Sequence, residues 1–204
     1  MIIGPRYKIA RRVGAPIFEK TQTQKYAASQ ARRSKSGERG PRQKSDFGVQ
    51  MVEKQKARFT YLLMERQFSN YLKKAIATKG HTVSIFYGLL ERRLDNVIFR
   101  MGFAPTRAAS RQMVAHGHIT LNGKRVTIPS IQVRVGDAIG VREGSSKKPL
   151  FLNLSERAKN TTPPAWIKVD AEKRQATITG VPNFETEKAG LMFDLSAVIE
   201  FYSR

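Results

Sequence analysis

The chain has 204 residues, with 37 lysines and arginines against 16 aspartates and glutamates, a formal net charge of +21. Such self-repulsion opposes a compact state unless a polyanion relieves it, and nucleic acid does so by exchanging condensed counterions for Lys and Arg contacts to phosphate. The rival polyanion, anionic membrane, is disfavoured because no segment reads as an apolar span of roughly 20 residues or as a basic helix with a broad apolar face.

The opening Met1-Ile2-Ile3-Gly4-Pro5-Arg6 lacks the apolar core of a signal peptide, so a cytosolic or organelle-internal protein of one or two domains is expected. Charge is polarised along the chain. Residues 1–58 hold 15 basic and 4 acidic side chains, whereas 160–204 hold 5 and 6, so the two ends are expected to meet different partners. Residues 20–46 are rich in Gln, Ser, Lys, Arg and Gly and have too few apolar groups to offset the entropy of ordering. Two readings stand for them: a disordered solvated tail, or a basic arm that orders on RNA, with Gly37, Gly40 and Pro41 suiting a backbone that threads along phosphates.

From Phe47 to Lys79 the pattern turns helical, with Phe59, Leu62, Leu63, Arg66, Tyr71, Leu72 and Ile76 forming a 3.6-period stripe and Gly80 a stop. Tyr61 and Phe68 read as core before base-stacking platforms. A further apolar stretch runs from Val83 to Leu90. Leu90, Leu94, Val97, Ile98 and Met101 then make one buried helical face, and Gly102 ends that helix. A second helix opens at Pro105 and Thr106, with the Thr106 hydroxyl as the candidate cap. Arg107 and Arg111 lie four apart on its outer side and repel unless something anionic covers them. Thr106, Arg107 and Ser110 crowd its N-terminus, where backbone N–H groups already favour phosphate.

Gly117 closes the second helix. Ile119 to Val126 alternates around Asn122-Gly123, a strong hairpin signal, with Lys124 at its tip either touching RNA or merely solvated. Val133, Val135, Ile139 and Val141, around a Gly136-Asp137 turn, read as further short strands. Two short helices and a hairpin-rich sheet make a small α+β module.

These residues resemble a known family. Leu94-Asp95-Asn96-Val97, Arg100-Met101-Gly102-Phe103, Thr106-Arg107-Ala108, Ser110-Arg111-Gln112, His116-Gly117-His118 and Leu121-Asn122-Gly123-Lys124 are similar to the S4-type RNA-binding module, which also occurs in some RNA-modifying enzymes. Outside the module, Gly4-Pro5-Arg6, Ser45-Asp46-Phe47-Gly48, Glu53-Lys54-Gln55-Lys56, Glu65-Arg66-Gln67-Phe68 and Phe201-Tyr202-Ser203-Arg204 resemble the small-subunit ribosomal protein S4 family itself, in its bacterial or organellar form. Many members carry a cysteine cluster for zinc near the N-terminus. This chain has no cysteine, so a zinc-free variant is implied, with no metal and no cofactor.

The resemblance implies a helical domain with an inserted RNA-binding module of two short helices and a small antiparallel sheet, preceded by an extended basic N-terminal arm. The expected division is 1–46 for the arm, 47–90 plus 184–204 for the helical domain, and 91–183 for the inserted α+β domain, with the module at about 91–155. It implies rRNA contacts from Arg6, Lys8, Arg11 and Arg12 in the arm and from Arg92, Arg93, Asn96, Arg100, Thr106, Arg107, Ser110, Arg111, Gln112, His116 and Lys124 in the module. Asp95 and Asn96 carry a second reading as structural hydrogen bonders. Arg39, Arg42 and Lys44 correspond to a basic lining of the channel through which mRNA enters the subunit, with plain rRNA packing as the alternative. The acidic C-terminal stretch, with Leu191, Phe193, Leu195, Val198, Ile199 and Phe201 buried, would offer Glu185, Glu187, Asp194 and Glu200 to ribosomal protein S5.

The implied function is that of a structural constituent of the small subunit. It would bind the five-prime domain of 16S-type rRNA as a nucleus of assembly and contribute to decoding fidelity and the mRNA channel. An RNA-modifying enzyme is the rival class, but no phosphate-binding loop, dinucleotide fingerprint or nucleophile elbow occurs, and little chain remains for a catalytic domain. A free RNA chaperone is the third, disfavoured by the long arm and second domain. His116 and His118, without carboxylate or thiol company, make a poor metal site.

Overall fold

The structure, a computed structural model, describes residues 4–35 and 45–203, and for 33–35 and 159 the backbone alone. The chain forms two compact units, Met1–Ala77 with Thr186–Arg204, and Thr78–Glu185. Helices and a small antiparallel sheet together make the α+β class that the sequence implied.

The first unit is helical where described. Pro5 presets the entry to α1 (Arg6–Val13), and Gly14 ends it with φ +71°, a conformation that costs glycine nothing. A single 3-10 turn at Glu19–Thr21 follows, with the Thr21 hydroxyl donating to the Phe18 carbonyl at 2.6 Å. Next comes α2 (Gln24–Lys35). The expected extended arm is therefore helical up to residue 35. Residues 20–46 are indeed poor in apolar groups, but Tyr26 is buried, as are Ala10, Val13, Ile17 and Phe18, which a count over 20–46 alone leaves out.

Ser45 caps α3 (Asp46–Thr60), its hydroxyl accepting from Gly48 N at 3.3 Å. The single helical stripe expected from Phe47 to Lys79 is broken into α3 and α4 (Glu65–Ala77). Leu62 takes φ +54° at the break, a strained value for a branched residue, repaid by the burial of Tyr61, Leu62 and Leu63 and by Leu63 N donating to Arg58 O at 3.0 Å. No Gly or Pro announces this turn. Ile76, assigned to the stripe, is exposed, while Phe68, Leu72 and Ala75 are buried.

The last helix of the chain, Leu195–Ser203, packs on α3. Asp194 caps it, accepting from Ser196 N at 2.8 Å. Phe193, Leu195 and Val198 are buried as expected, whereas Leu191, Ile199 and Phe201 stay half-buried.

The second unit opens with α5 (Thr82–Glu91), α6 (Leu94–Arg100) and α7 (Arg107–Ala115). Its sheet has five strands, β1 (Ile119–Leu121), β2 (Lys124–Val126), β3 (Ala138–Val141), β4 (Ile167–Asp170) and β5 (Gln175–Ile178), in the order β2-β1-β3-β5-β4 and antiparallel throughout. Asn122 and Gly123, with φ of 51° and 76°, make the tight hairpin, and Leu121 lies opposite Lys124. Leu94, Val97, Ile98, Met101, Phe103, Met113, Val114, Ile119, Ile139, Phe151 and Trp166 form the core between the helix pair and the sheet. Each such side chain contributes roughly 1.5–3 kcal/mol by leaving water.

No strand forms at Val133–Val135. The backbone there is spent on the start of α6, with Leu94 N donating to Ile131 O and Val133 N to Arg92 O, both at 2.9 Å. Strands β4 and β5 had no counterpart in the sequence reading. A short α8 (Leu154–Lys159) and α9 (Phe184–Glu187) complete the helices among the described residues, of which the last, Leu195–Ser203, is α10. None of them is long and apolar enough to cross a membrane.

Candidate nucleic-acid interface

In the second unit the α6–α7 pair carries most of the polar residues singled out from sequence. Thr106 caps α7 with φ −148°, its hydroxyl accepting from Ala109 N at 3.1 Å. Two buried carboxylates organise the rest. Glu91, fully buried, accepts both Nε and Nη2 of Arg100 at 2.9 Å and the Asn96 amide at 2.8 Å. The other face of that amide, Asn96 Oδ1, accepts Arg107 Nε at 2.8 Å, and the Arg107 guanidinium lies 4.3 Å from the Phe99 ring centre. Asp95 accepts Nε and Nη2 of Arg93 at 3.0 and 2.8 Å, and Nε and Nη2 of Arg111 at 2.9 and 2.8 Å.

Arg107 and Arg111 thus do not face each other uncompensated. Arg111 is paired with Asp95 across sixteen residues of chain, sharing that one carboxylate with Arg93, a partner no i±4 rule reveals. Charges this deeply placed need their partners, because an unpaired one costs several kcal/mol.

Burial then divides the expected RNA-contacting residues. Arg93, Asn96 and Ser110 are buried, and a direct contact from them to RNA is withdrawn: Arg93 is held by Asp95, Asn96 by Glu91 and Arg107, and the Ser110 hydroxyl donates to Arg107 O at 2.8 Å. Asp95 and Asn96 take the structural role that was their second reading. Arg92, Arg100, Thr106, Arg107 and Arg111 are half-buried, and Gln112, His116 and Lys124 are exposed.

Sequence reasoning missed a basic group around His118. Arg125, Arg142 and Lys148 are exposed. The Arg125 guanidinium lies so close over Gly117 that a Cβ there would strike it. His118 Nδ1 stands 3.0 Å from the Ser145 hydroxyl and its ring meets Phe151 edge-on. Burial, with Lys148, His116, Arg142 and Arg125 nearby, holds the His118 imidazolium below its ordinary range. These cations lie outside any recognisable motif, and only the alternation of β2, which turns Arg125 outward, hinted at one of them. Among the described residues no cluster of His and carboxylate side chains could hold a metal ion.

In the first unit, Arg6, Lys8, Arg11 and Arg12 lie on α1. Lys8 and Arg12 are exposed, Arg6 lies 5.9 Å from the Phe18 ring centre, and Arg11 Nε donates to Tyr7 O at 3.1 Å. Arg39, Arg42 and Lys44 lie outside the described residues. The acidic residues offered as a partner face fall in both units: Glu185 closes the second, while Glu187, Asp194 and Glu200 belong to the first. Asp194 is engaged in its cap, and its own N–H donates to Glu53 at 2.9 Å.

Comparison with known proteins decides the family. Residues 1–97 match the model of the ribosomal protein S4/S9 N-terminal domain, and residues 92–139 match the S4 domain. The chain is 44% identical over 209 residues to the small ribosomal subunit protein uS4 of Roseiflexus castenholzii, covering 99% of this chain and 98% of that one. It is 42% identical over 208 residues to the uS4 of Herpetosiphon aurantiacus, with 98% of both chains covered. The chain belongs to the ribosomal protein S4 family. In this S4-family protein the S4-domain match begins at Arg92 and takes in the whole Glu91-partnered helix pair except Glu91 itself, so the carboxylate that locks the module is supplied from just outside it.

Proposed function

We infer that this chain is a structural constituent of the small ribosomal subunit that binds its rRNA, in a non-enzymatic role and alongside neighbouring ribosomal proteins. The carrying observation is the full-length kinship with proteins named small ribosomal subunit protein uS4, on a chain of net charge +21. The exposed and half-exposed cations of both units supply the matching chemistry, since phosphate contacts dominate RNA affinity and shape readout. The protein accordingly resides with the small subunit in the cytoplasm.

The finer proposal is that the chain is a primary binder of the five-prime domain of 16S-type rRNA and nucleates assembly there. Its contacts would come from Arg6, Lys8, Arg11, Arg12, Arg92, Arg100, Thr106, Arg107, Arg111, Gln112, His116 and Lys124, joined by Arg125, Arg142 and Lys148. Arg39, Arg42 and Lys44 would line the mRNA channel. Glu187, Asp194 and Glu200, with Glu185, would meet ribosomal protein S5 and so affect decoding fidelity. On this reading the chain serves as a basic arm at 1–46, a helical domain at 47–90 plus 184–204, and an inserted α+β domain at 91–183 with the RNA-binding module at about 91–155.

Fractionation of ribosomes at moderate and high salt, with mass spectrometry of the small-subunit peak, tests the central reading. Stoichiometric retention after the high-salt wash is expected; a sub-stoichiometric chain that washes off would make it a visiting factor. With six to ten phosphate contacts, log K for an rRNA fragment should fall against log salt with a slope of roughly −5 to −9. A slope shallower than about −2 would defeat the electrostatic account.

A further inference from the structure

We propose that the cleft between α1 and α2 is a seat for one unpaired nucleotide of rRNA, read by the tyrosine pair Tyr7–Tyr26 and held through its phosphate by Arg11 and Lys25. The idea rests on the rRNA-binding reading and adds to it a site that the S4-type module does not contain.

The two tyrosine rings stack with centroids 5.4 Å apart and planes 9° from parallel. Tyr26 is buried, its hydroxyl accepting from Gln30 Nε2 at 3.0 Å, so the pair is a fixed wall of the cleft. Lys20, on the turn between the helices, lies 5.6 Å from the Tyr7 ring centre. The cleft itself measures about 170 Å³ and is lined by Tyr7, Arg11, Lys25, Tyr26 and Ser29. That is below the roughly 300–1,000 Å³ of pockets that enclose a drug-sized ligand, and it suits a single flat ring system.

The lining has the composition that single-stranded RNA recognition uses: aromatic surface, a guanidinium plane, a hydroxyl and cations for phosphate. Arg11 spends Nε on the Tyr7 carbonyl, which fixes the side chain while its terminal amino groups meet no carboxylate among the described residues. Lys25 is exposed and likewise carries no ion pair there. This sets the cleft apart from the α6–α7 pair, where Arg100 and Arg111 already serve buried carboxylates. Uncompensated cations beside a preformed aromatic wall are disfavoured in the unbound protein by mutual repulsion, and a nucleotide relieves both the charge and the wet apolar surface.

The test uses the full chain and a 16S-type rRNA transcript substituted with 4-thiouridine. Photo-crosslinked peptides are mapped by mass spectrometry, and affinity is measured across salt for the wild type, for Arg11→Gln with Lys25→Gln, and for Tyr7→Leu. The expected result is a crosslink at Tyr7 or Tyr26. The double variant should also lose about one unit of salt slope, for the one phosphate that the two side chains share. Tyr7→Leu should bind about tenfold more weakly with its slope unchanged. Because Tyr7→Leu disturbs a packed ring, the double surface variant, whose helicity is checked by circular dichroism, keeps the decision independent of folding. Wild-type affinity and slope in that variant, with crosslinks confined elsewhere, would overturn the cleft while leaving the ribosomal reading intact. A wild-type chain with no salt-dependent affinity for the transcript would overturn both.

Discussion

Replacing Asp95 with alanine should unfold the second unit far more readily than its place beside two arginines suggests. Asp95 is 3% exposed and Arg93 2% exposed, so the substitution leaves the Arg93 guanidinium without its carboxylate in a site that water barely reaches. Breaking a buried pair in this way costs about 3–5 kcal/mol, because the surviving charge stays desolvated after its counter-charge is removed. Against a total stability of about 5–15 kcal/mol, that is a fifth or more of what holds a domain together. Trp166, the sole tryptophan of the chain, lies buried beside β4 and reports on this unit alone. Urea unfolding followed by its fluorescence should show the midpoint falling by roughly 1.5–2.5 M for an m-value of about 2 kcal/mol/M. Asp95→Asn should fall between the two, since an amide accepts some of the same hydrogen bonds without the charge. Arg111→Ala, whose side chain is 24% exposed, should cost clearly less than Asp95→Ala. A loss under about 1 kcal/mol for Asp95→Ala, or an unchanged midpoint with weakened rRNA binding, would refute the view that Asp95 is a structural anchor.

Three further outcomes follow from the geometry. Tyr202 donates to Glu65 Oε1 at 2.5 Å, and burial together with that carboxylate raises its phenol well above the usual range; Tyr202→Phe should cost about 1 kcal/mol by urea melt of the first unit, and no change would discount the bond. Burial raises the Glu65 carboxyl, but hydrogen bonds from Tyr202 and Lys54 and the charges of Lys54 and Arg58 outweigh it and leave it lowered. A lowered carboxyl gives stability that is present above about pH 4.5 and lost as pH falls through the folded value, so the first unit should weaken on acidification and Glu65→Gln should flatten that fall. His118 is held low by burial and by surrounding cations, and a phosphate over Arg125, Arg142 and Lys148 would remove the electrostatic part. RNA binding should therefore raise its titration midpoint in NMR and strengthen as pH falls from 7 towards 6; a midpoint unmoved by RNA would place the phosphates elsewhere.

The module was the most legible part of the chain. Gly102 and Gly117, at φ of 76° and 69°, end their helices where the sequence marks them, the Thr106 cap forms, and Asn122-Gly123 turns the hairpin, because each feature is decided by a few adjacent residues. What escaped notice depends on partners far apart in the chain. Nothing near Arg111 predicts that Asp95 will pair with it, and nothing near Leu62 predicts a positive φ, which burial of its neighbours imposes from outside. The helices of the supposed arm were lost for the same reason: Tyr26 is ordered by Tyr7 and by the apolar group of α1, outside the window in which its surroundings look soluble.

The consequence for RNA binding is a redistribution of charge and not a loss of it. Counted from sequence, Arg93, Arg100, Arg107 and Arg111 make the α6–α7 pair the most basic feature of the module. In the fold, Glu91 and Asp95 absorb much of that charge, and the pair becomes a rigid wall whose guanidinium groups are fixed before any RNA arrives. Fixed donors lose little entropy on binding, so the wall favours selectivity for one RNA shape over raw affinity. Affinity then falls to exposed cations that no carboxylate among the described residues holds, Lys124, Arg125, Arg142 and Lys148 in the second unit and Lys8, Arg12 and Lys25 in the first. Substitutions in this second group should reduce the salt slope by about one each, whereas Arg100→Lys should leave the slope nearly unchanged and lower the preference for the cognate junction over a plain duplex.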